Sequence, residues 1–245
     1  MVNYEKMFGE PVPKREIHAP LDPSNHPELY FTELCDANEI KQYWGMIGEL
    51  QWAVSLGRID IMCAVVAMSS FRPQPQKGHL DCLKQIYQYL CNYKKTAIKF
   101  NVEVPYYGDY EVLSANWGSM YHPCQEDIPK DAPEPKGKAV VTTTFVDANL
   151  MADFVTGRSR TGILHMFNKT LIEWYCRTQR QVETATYGSE FVAARIAVDQ
   201  IVEMRNMLRY LGVLLSGATW MFGDNLAVVN SATMPNGKLH KRAHI

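Results

Sequence analysis

Three acidic residues in this 245-residue sequence stand in local frames that could bring their carboxylates together. Asp147 ends an apolar run that is predicted to be a strand (140–146), and Asp224 closes a second such run (218–223). Glu190 lies inside a run of helical character. Carboxylates that converge from distant segments can hold divalent cations, and two such cations can cleave a phosphodiester bond. The chemistry open to these residues is therefore metal-dependent phosphodiester hydrolysis.

The three acids taken together favour a metal site. If the two strands are parallel neighbours, Asp147 and Asp224 lie at the same edge of a sheet, with Glu190 one turn into a helix that begins over that edge. Two like charges about 4 Å apart repel by about 4 kcal/mol at an effective dielectric constant near 20. Three clustered carboxylates therefore need a cation between them. Ligands that are all oxygen suit Mg²⁺ or Mn²⁺ rather than zinc.

Each acid alone also has an ordinary structural interpretation. Asp147 could be a turn residue that follows its strand. Asp224 precedes Asn225 and could cap the next helix. Glu190 could lie on a solvated helix face. The sequence by itself leaves these alternatives open.

The elements that would position the acids are preceded by a predicted helical part. Asp36 and Glu39 form a capping-box pattern, which predicts a helix that begins there and reaches about Leu56. Apolar residues at three- and four-residue spacing predict two more helices, at about 59–71 and 79–93. We therefore expect a small α-helical subdomain.

The pattern changes to α/β after a Pro-rich stretch. The predicted elements are a strand at 139–147, a hairpin-like pair near 161–167 and 170–176, a helix at about 187–211, a strand at 218–223 and a helix from about Asn225. Strands that alternate with long helices are typical of an α/β sheet covered by helices.

Composition and charge narrow the classes of function. The net charge is −1, so contacts with nucleic acid would have to come from local basic clusters rather than from a basic surface overall. No run of 18 apolar residues occurs, and the N-terminus has no signal-peptide pattern. We therefore expect no membrane span and a cytoplasmic location. The six cysteines lack metal-site spacing and are expected to be reduced thiols.

A series of motifs surrounds the three acids. They are Asp147-Ala148-Asn149 with Asp153, then Gly157-Arg158-Ser159-Arg160-Thr161-Gly162, Trp174, Thr186-Tyr187-Gly188-Ser189-Glu190-Phe191-Val192-Ala193-Ala194, and Gly223-Asp224-Asn225-Leu226-Ala227. Together they resemble the ribonuclease H domain of copia-type retrotransposon Pol polyproteins. The segment that follows the polymerase palm in those polyproteins is also similar to residues upstream, which are Tyr43, Ile47-Gly48, Leu50, Trp52, Arg58, Asp60-Ile61 and His79. The resemblance covers about residues 36–245 in unbroken order.

The resemblance implies a fold class and a domain organisation. The fold is an α/β, ribonuclease H-like mixed sheet with flanking helices, truncated at the C-terminus and preceded by the small α-helical subdomain. The implied parts are an extended N-terminal segment at 1–35, a helical reverse-transcriptase tail (thumb- or connection-like) at 36–121, a Pro-rich linker at 122–138 and an incomplete ribonuclease H-like domain at 139–245.

The resemblance also implies an activity, namely hydrolytic cleavage of RNA within RNA–DNA hybrids by an endonuclease. Asp147, Glu190 and Asp224 match the first three metal-binding acids of the family and would be both catalytic residues and metal ligands. The implied cofactor is Mg²⁺ (or Mn²⁺), with two ions expected. The implied partners are an RNA–DNA hybrid and the remainder of the Pol polyprotein.

Three further positions are implied to contact the nucleic acid. Arg158, Ser159 and Arg160 occupy the polar segment before the second strand, where contacts with the nucleic-acid backbone are expected. A solvated loop is the alternative interpretation of this segment. Asp153 matches a frequent acid of the first loop and is expected to have a structural role.

The chain also departs from the family pattern. The family continues to a fourth metal-site Asp, whereas this sequence ends at Ile245, and Gly188 stands where the family commonly has a second acid. No Tyr-x-Asp-Asp motif occurs, so a polymerase site is absent. The second hypothesis is therefore a non-catalytic retrotransposon remnant that binds nucleic acid or a partner weakly. An integrase or transposase fits less well, because those enzymes order their acids Asp, Asp, Glu.

Overall fold

The structure is a computed structural model that describes residues 4–22, 24–110 and 128–233. Its contacts divide the chain into two compact units. The first unit contains the described residues up to Ile98 together with Asp153–Val155, and the second contains those of Lys99–Ala152 and those from Thr156 onward. Each unit has a hydrophobic core of its own.

The first unit is helical, as the sequence predicts. Its α-helices are α1 (Tyr4–Phe8), α2 (Ala37–Ser55), α3 (Met62–Ser69) and α4 (Lys77–Asn92). Short 3₁₀ helices occupy Pro27–Leu29 and Ile59–Ile61. The second predicted helix therefore begins with a 3₁₀ turn and ends earlier than expected.

The predicted capping box opens helix α2. The Asp36 carboxylate accepts hydrogen bonds from the backbone N–H groups of Asn38 (2.7 Å) and Glu39 (2.8 Å). The Glu39 carboxylate in turn accepts the N–H of Asp36 at 2.8 Å. Three backbone donors that the helix itself cannot satisfy are thus paired, and such a cap is worth about 1 kcal/mol.

Two buried tyrosines organise the core of the first unit. The Tyr43 hydroxyl donates to the Met68 carbonyl at 2.7 Å, and the Tyr87 hydroxyl donates to the Glu49 carboxylate at 2.9 Å. Because both rings are fully buried, these hydrogen bonds remove the penalty for burying a hydroxyl. Tyr4, from the segment predicted to be extended, is also buried in this core.

The second unit contains the remaining elements. They are β1 (Lys136–Val140), β2 (Thr142–Asp153), β3 (Arg158–Phe167), β4 (Thr170–Thr178), α5 (Thr186–Tyr210), β5 (Val213–Leu215), β6 (Trp220–Phe222) and α6 (Leu226–Thr233). None of the described helices in either unit is both long and apolar enough to cross a membrane.

The strands of this unit form two sheets. The larger sheet has the order β4-β3-β2-β6, and the smaller one pairs β1 with β5. Strands β3 and β4 are antiparallel, whereas β6 is parallel to β2. The fold is therefore α/β with a mixed sheet, as expected from the order of elements.

The long strand differs from its prediction in two ways. The sequence predicts one strand at 139–147, but Val141 interrupts it, and the chain changes from the small sheet to the large one at this residue. Asn168 causes the interruption, because its side chain accepts the Val141 N–H at 3.0 Å and its own N–H binds the Val141 carbonyl at 2.7 Å. The strand then continues to Asp153, so Asp147 lies within β2 rather than at its end.

Residues 101–110, which we call the strap segment, are irregular in structure and pack against other parts of the second unit. The Asn101 N–H donates to the Thr170 hydroxyl at 2.8 Å, and that hydroxyl donates to the Asn101 carbonyl at 2.9 Å. The sequence groups this stretch with the helical subdomain. Residues 111–127, which include part of the predicted linker at 122–138, lie outside the described residues, so the predicted domain boundaries stay predictions.

Candidate metal centre

The three predicted acids come together in the second unit. One carboxylate oxygen from each of Asp147, Glu190 and Asp224 lies within 4.8 Å of the others. The three residues come from β2, from α5 and from the turn after β6. The convergence that the sequence predicts is therefore present, and it is made by three segments that are distant along the chain.

The parallel pairing of β2 and β6 sets the position of the two aspartates. Phe145 of β2 lies opposite Phe222 of β6. Asp147 and Asp224 each follow this pair by two residues, and residues two apart share a face of an extended strand. Both aspartates are exposed there. The register of a three-residue strand thus decides whether the two carboxylates meet.

Buried hydrogen bonds hold β6 in this register. The Thr142 and Thr219 hydroxyls are 2.6 Å apart and link the start of β2 to the residue before β6. Arg205, a buried residue of α5, donates to the Thr219 hydroxyl at 3.0 Å and to the Gly217 carbonyl at 3.0 Å. Helix α5 therefore positions Glu190 near one end and secures the strand that leads to Asp224 near the other.

The turn after β6 leaves the Asp224 carboxylate out of helix capping. The side chain of Asn225 accepts the N–H groups of Ala227 (3.1 Å) and Val228 (3.2 Å) at the start of α6. Asn225 is thus the residue that caps α6. The capping role considered for Asp224 from the sequence is taken by its neighbour.

Glu190 is fixed in the interior and not on a solvated face. It lies in the second turn of α5 and is only 5% exposed. Its Oε1 atom accepts the backbone N–H of Ala148, the residue after Asp147, at 3.2 Å. This hydrogen bond ties the helix directly to the strand that carries the first aspartate.

A buried glutamine that the sequence analysis missed orients the start of α5. Gln179, just after β4, donates from Nε2 to the Ser189 carbonyl at 2.9 Å and to the Thr161 hydroxyl at 3.0 Å. Its backbone N–H donates to the Ser159 carbonyl at 2.8 Å. These bonds join β3, β4 and α5 one residue before Glu190. No local pattern marks Gln179, because its partners are fixed only by the tertiary fold.

The Glu183 side chain occupies the space beside Gly188. A Cβ atom at this buried position would overlap the Glu183 carboxylate, which lies against the first turn of α5. A side chain at position 188 therefore requires Glu183 to move. The family commonly has an acid at the position of Gly188. In this chain the nearby carboxylate is that of Glu183, from the loop that precedes α5.

The electrostatics of the cluster disfavour its fully ionised, metal-free form. The pKa of Glu190 is raised to about 7, chiefly by burial; the Ala148 hydrogen bond lowers it, and the nearby charges of Asp147 and Asp224 raise it. A divalent cation would remove this repulsion. Three carboxylates with no nitrogen or sulfur donor fit a hard cation such as Mg²⁺ or Mn²⁺.

The three residues predicted to contact nucleic acid lie inside β3 and not in a loop before it. Arg158 is exposed and Arg160 is half-buried. Ser159 is fully buried, and its hydroxyl accepts the Met151 N–H at 3.3 Å. Because alternate strand residues face the interior, Ser159 is not accessible to a nucleic-acid backbone.

Asp153, the acid for which the sequence predicts a structural role, lies at the end of β2. The Asp153 carboxylate accepts the N–H of Val155 at 3.0 Å and so shapes the turn that follows the strand. This contact agrees with the structural role expected for Asp153.

Comparison with known proteins yields one informative similarity. The chain is 23% identical over 171 residues to a retrovirus-related Pol polyprotein from transposon TNT 1-94 of Nicotiana tabacum. The match covers 70% of this chain but only 10% of that polyprotein. No protein-family model matches, and no solved structure matches. The similarity supports a retrotransposon Pol-like origin.

Because the pKa of Glu190 is raised, replacing Glu190 by an uncharged residue should increase the free energy of unfolding at high pH. Glu190→Gln keeps an oxygen for the Ala148 hydrogen bond and cannot ionise. Since the folded-state pKa of about 7 exceeds the ordinary 4.5, the native protein loses stability as pH rises through this window. The variant should therefore match the parent at pH 4.5 and exceed its free energy of unfolding by about 3 kcal/mol at pH 8.

This difference is measured by urea unfolding in EDTA at both pH values. Glu203→Gln is the matched control, because Glu203 is exposed on the same helix. A Glu190→Gln effect that does not change between pH 4.5 and pH 8 would contradict the assigned pKa.

Loss of one aspartate should weaken cation binding. Asp147→Asn replaces an anionic ligand by a neutral one of the same shape, so Mn²⁺ affinity measured by calorimetry should fall by at least about tenfold. Asp199→Asn, on the exposed face of α5, should leave the affinity unchanged. Equal binding by the parent and Asp147→Asn would show that the cluster is not a metal site.

Gln179 should matter to the cation without touching it. Gln179→Ala removes the bonds to Thr161 and Ser189, so the start of α5 loses its anchor and Mn²⁺ affinity should fall by about tenfold. Gln181→Ala, at an exposed position in the same loop, serves as the control. Retained affinity in folded Gln179→Ala would remove Gln179 from the positioning network.

Proposed function

We propose that this chain is a metal-dependent endonuclease that hydrolyses the RNA strand of RNA–DNA hybrids, within a copia-type Pol polyprotein. The observation that carries the proposal is the meeting of Asp147, Glu190 and Asp224 within 4.8 Å. Their order along the chain is Asp, Glu, Asp, and their motifs resemble those of the family's ribonuclease H. The similarity to a retrotransposon polyprotein is consistent with this assignment.

The three carboxylates would hold two Mg²⁺ or Mn²⁺ ions. When bound, such ions activate a water molecule for attack on phosphorus and stabilise the negative charge on the departing oxygen. The residues fit this role because every donor is an anionic oxygen and because, in the described part of the chain, no basic side chain forms an ion pair with any of the three. Binding would also keep Glu190 ionised at neutral pH.

The two kinds of acid have different parts in this proposal. Asp147 and Asp224 are exposed and lie where a duplex can approach. Glu190 is buried and held by Ala148 through Oε1, so Oε2 is the oxygen that would orient the attacking water. Water adds to the phosphorus, the bond to the 3′ oxygen breaks, and the products carry a 5′-phosphate and a 3′-hydroxyl.

Recognition of the hybrid would rest on shape. A hybrid helix is read mainly through its phosphates and 2′-hydroxyls, not through base edges. Arg158 is the exposed member of the three residues expected at the nucleic-acid backbone. The remainder of the Pol polyprotein is the second proposed partner, since the match spans only 10% of the tobacco polyprotein.

A second candidate function is a non-catalytic remnant that binds nucleic acid or a partner weakly. The observation in its favour is that the described cluster contains three acids, where the resemblance implies a fourth. Three ligands could suffice for a cation without positioning it for catalysis. Only a measurement of activity separates the two candidates.

The proposal predicts cleavage that depends on Asp224. With Mg²⁺ or Mn²⁺, the purified chain should cut an RNA–DNA hybrid labelled at the 5′ end of the RNA, and Asp224→Asn should reduce the rate by at least about 100-fold. Asp199→Asn is the matched control, since it makes the same change at an exposed site on α5.

Two outcomes would oppose the nuclease assignment. A folded chain that binds Mn²⁺ and cuts nothing would leave the remnant as the better description. Cleavage that continues unchanged in Asp224→Asn would mean that the observed activity does not come from this site.

A further inference from the structure

A cavity of about 230 Å³ lies in the second unit, between the strap segment and the sheet. Its lining is mainly aromatic and apolar and consists of Pro105, Tyr107, Gly108, Tyr110, Val141 and Trp220. We call it the aromatic pocket. The proposed hydrolysis does not use it.

The aromatic rings of the pocket do not cover one another. The ring of Tyr107 lies 5.3 Å from that of Trp220 at an angle of 51°, and 6.2 Å from that of Tyr110 at 66°. Rings at such angles do not stack on one another, and all three residues line the cavity. The Tyr107 hydroxyl is 3.0 Å from that of the buried Thr143, which fixes the ring before any ligand arrives.

The pocket is close to the acidic cluster on the same sheet. Trp220 begins β6 and Asp224 follows that strand, four residues later. At a rise of at most about 3.3 Å per residue, their Cα atoms are no more than about 13 Å apart. A stacked nucleic-acid strand advances about 3.4 Å per nucleotide, so this span corresponds to roughly four nucleotides.

Positive charge lies on the strand that leads to the pocket. Lys136 and Lys138 are exposed on β1, and Val141, which lines the pocket, follows Lys138 by three residues. Aromatic rings and cationic side chains on one surface are the combination that binds single-stranded nucleic acid, since bases stack on rings and phosphates pair with cations. An apolar peptide side chain would fill the pocket but would form no ion pair with the lysines.

We propose that the aromatic pocket holds one unpaired base of a nucleic-acid strand that extends from the candidate metal centre. This inference rests on the proposed function for the identity of the strand. The occupant is a base because the lining is mainly apolar and half of its residues are aromatic. Hybrids that carry a single-stranded extension would therefore bind more tightly than blunt hybrids.

Binding is tested without metal, so that it does not depend on cleavage. In EDTA, the anisotropy of a labelled RNA–DNA hybrid with a single-stranded extension should show tighter binding than that of the blunt hybrid. Tyr110→Ala removes one exposed wall of the pocket and should weaken binding of the extended hybrid by about tenfold. Tyr210→Ala is the matched control, because Tyr210 is similarly exposed but lies at the end of α5.

An abasic nucleotide placed at each position of the extension locates the base. Binding by the parent chain should fall when one particular position of the extension lacks its base. The same substitution should have no effect on Tyr110→Ala, since the base and the ring act together.

The proposal is overturned if Tyr110→Ala binds the extended hybrid as tightly as the parent, or if Tyr210→Ala weakens binding equally. It is also overturned if no abasic position matters. Binding that depends on the base, in a chain that cuts nothing, would retain the pocket and reject the nuclease. Cleavage without any dependence on the base would do the reverse.

Discussion

The parallel pairing of β2 with β6 is the interaction on which the candidate site depends. Because the side chains of a strand alternate between faces, a slip of one residue would turn Asp224 away from Asp147. Strand β6 has only three residues and cannot secure its register through many backbone bonds. The buried contacts from Thr142 and Arg205 to Thr219 supply the missing specificity. Helix α5 thus contributes Glu190 to the site and, through Arg205, also stabilises the position of β6.

The acidic cluster does not stabilise the fold that contains it. A buried glutamate whose pKa is raised by burial and by two neighbouring aspartates makes the native protein less stable near neutral pH. Perturbed carboxylates beside exposed ones are typical of catalytic and metal sites. The surrounding hydrogen bonds, from Gln179 to Ser189 and from Ala148 to Glu190, hold the glutamate in place.

Much of the fold could be predicted because its signals are local. The capping residues of α2, the hairpin of β3 and β4, and the three acids can each be recognised within a few neighbouring residues. The features that were missed depend on partners far away in the sequence. The Asn168 side chain breaks the long strand at Val141, Gln179 fastens the start of α5, and the alternation of β3 buries Ser159. No short pattern encodes these contacts.

The strap segment has a consequence for the order in which the parts of the chain can fold during synthesis. Asn101 binds Thr170, 69 residues later, and Tyr107 contacts rings in β6 that are synthesised later still. The strap cannot complete its packing until β6, near the end of the described chain, has been synthesised. Contacts that join such distant residues close large loops and form late. The face of the sheet beside the acids therefore stays uncovered while the helical unit, whose partners are nearby in sequence, is already able to fold.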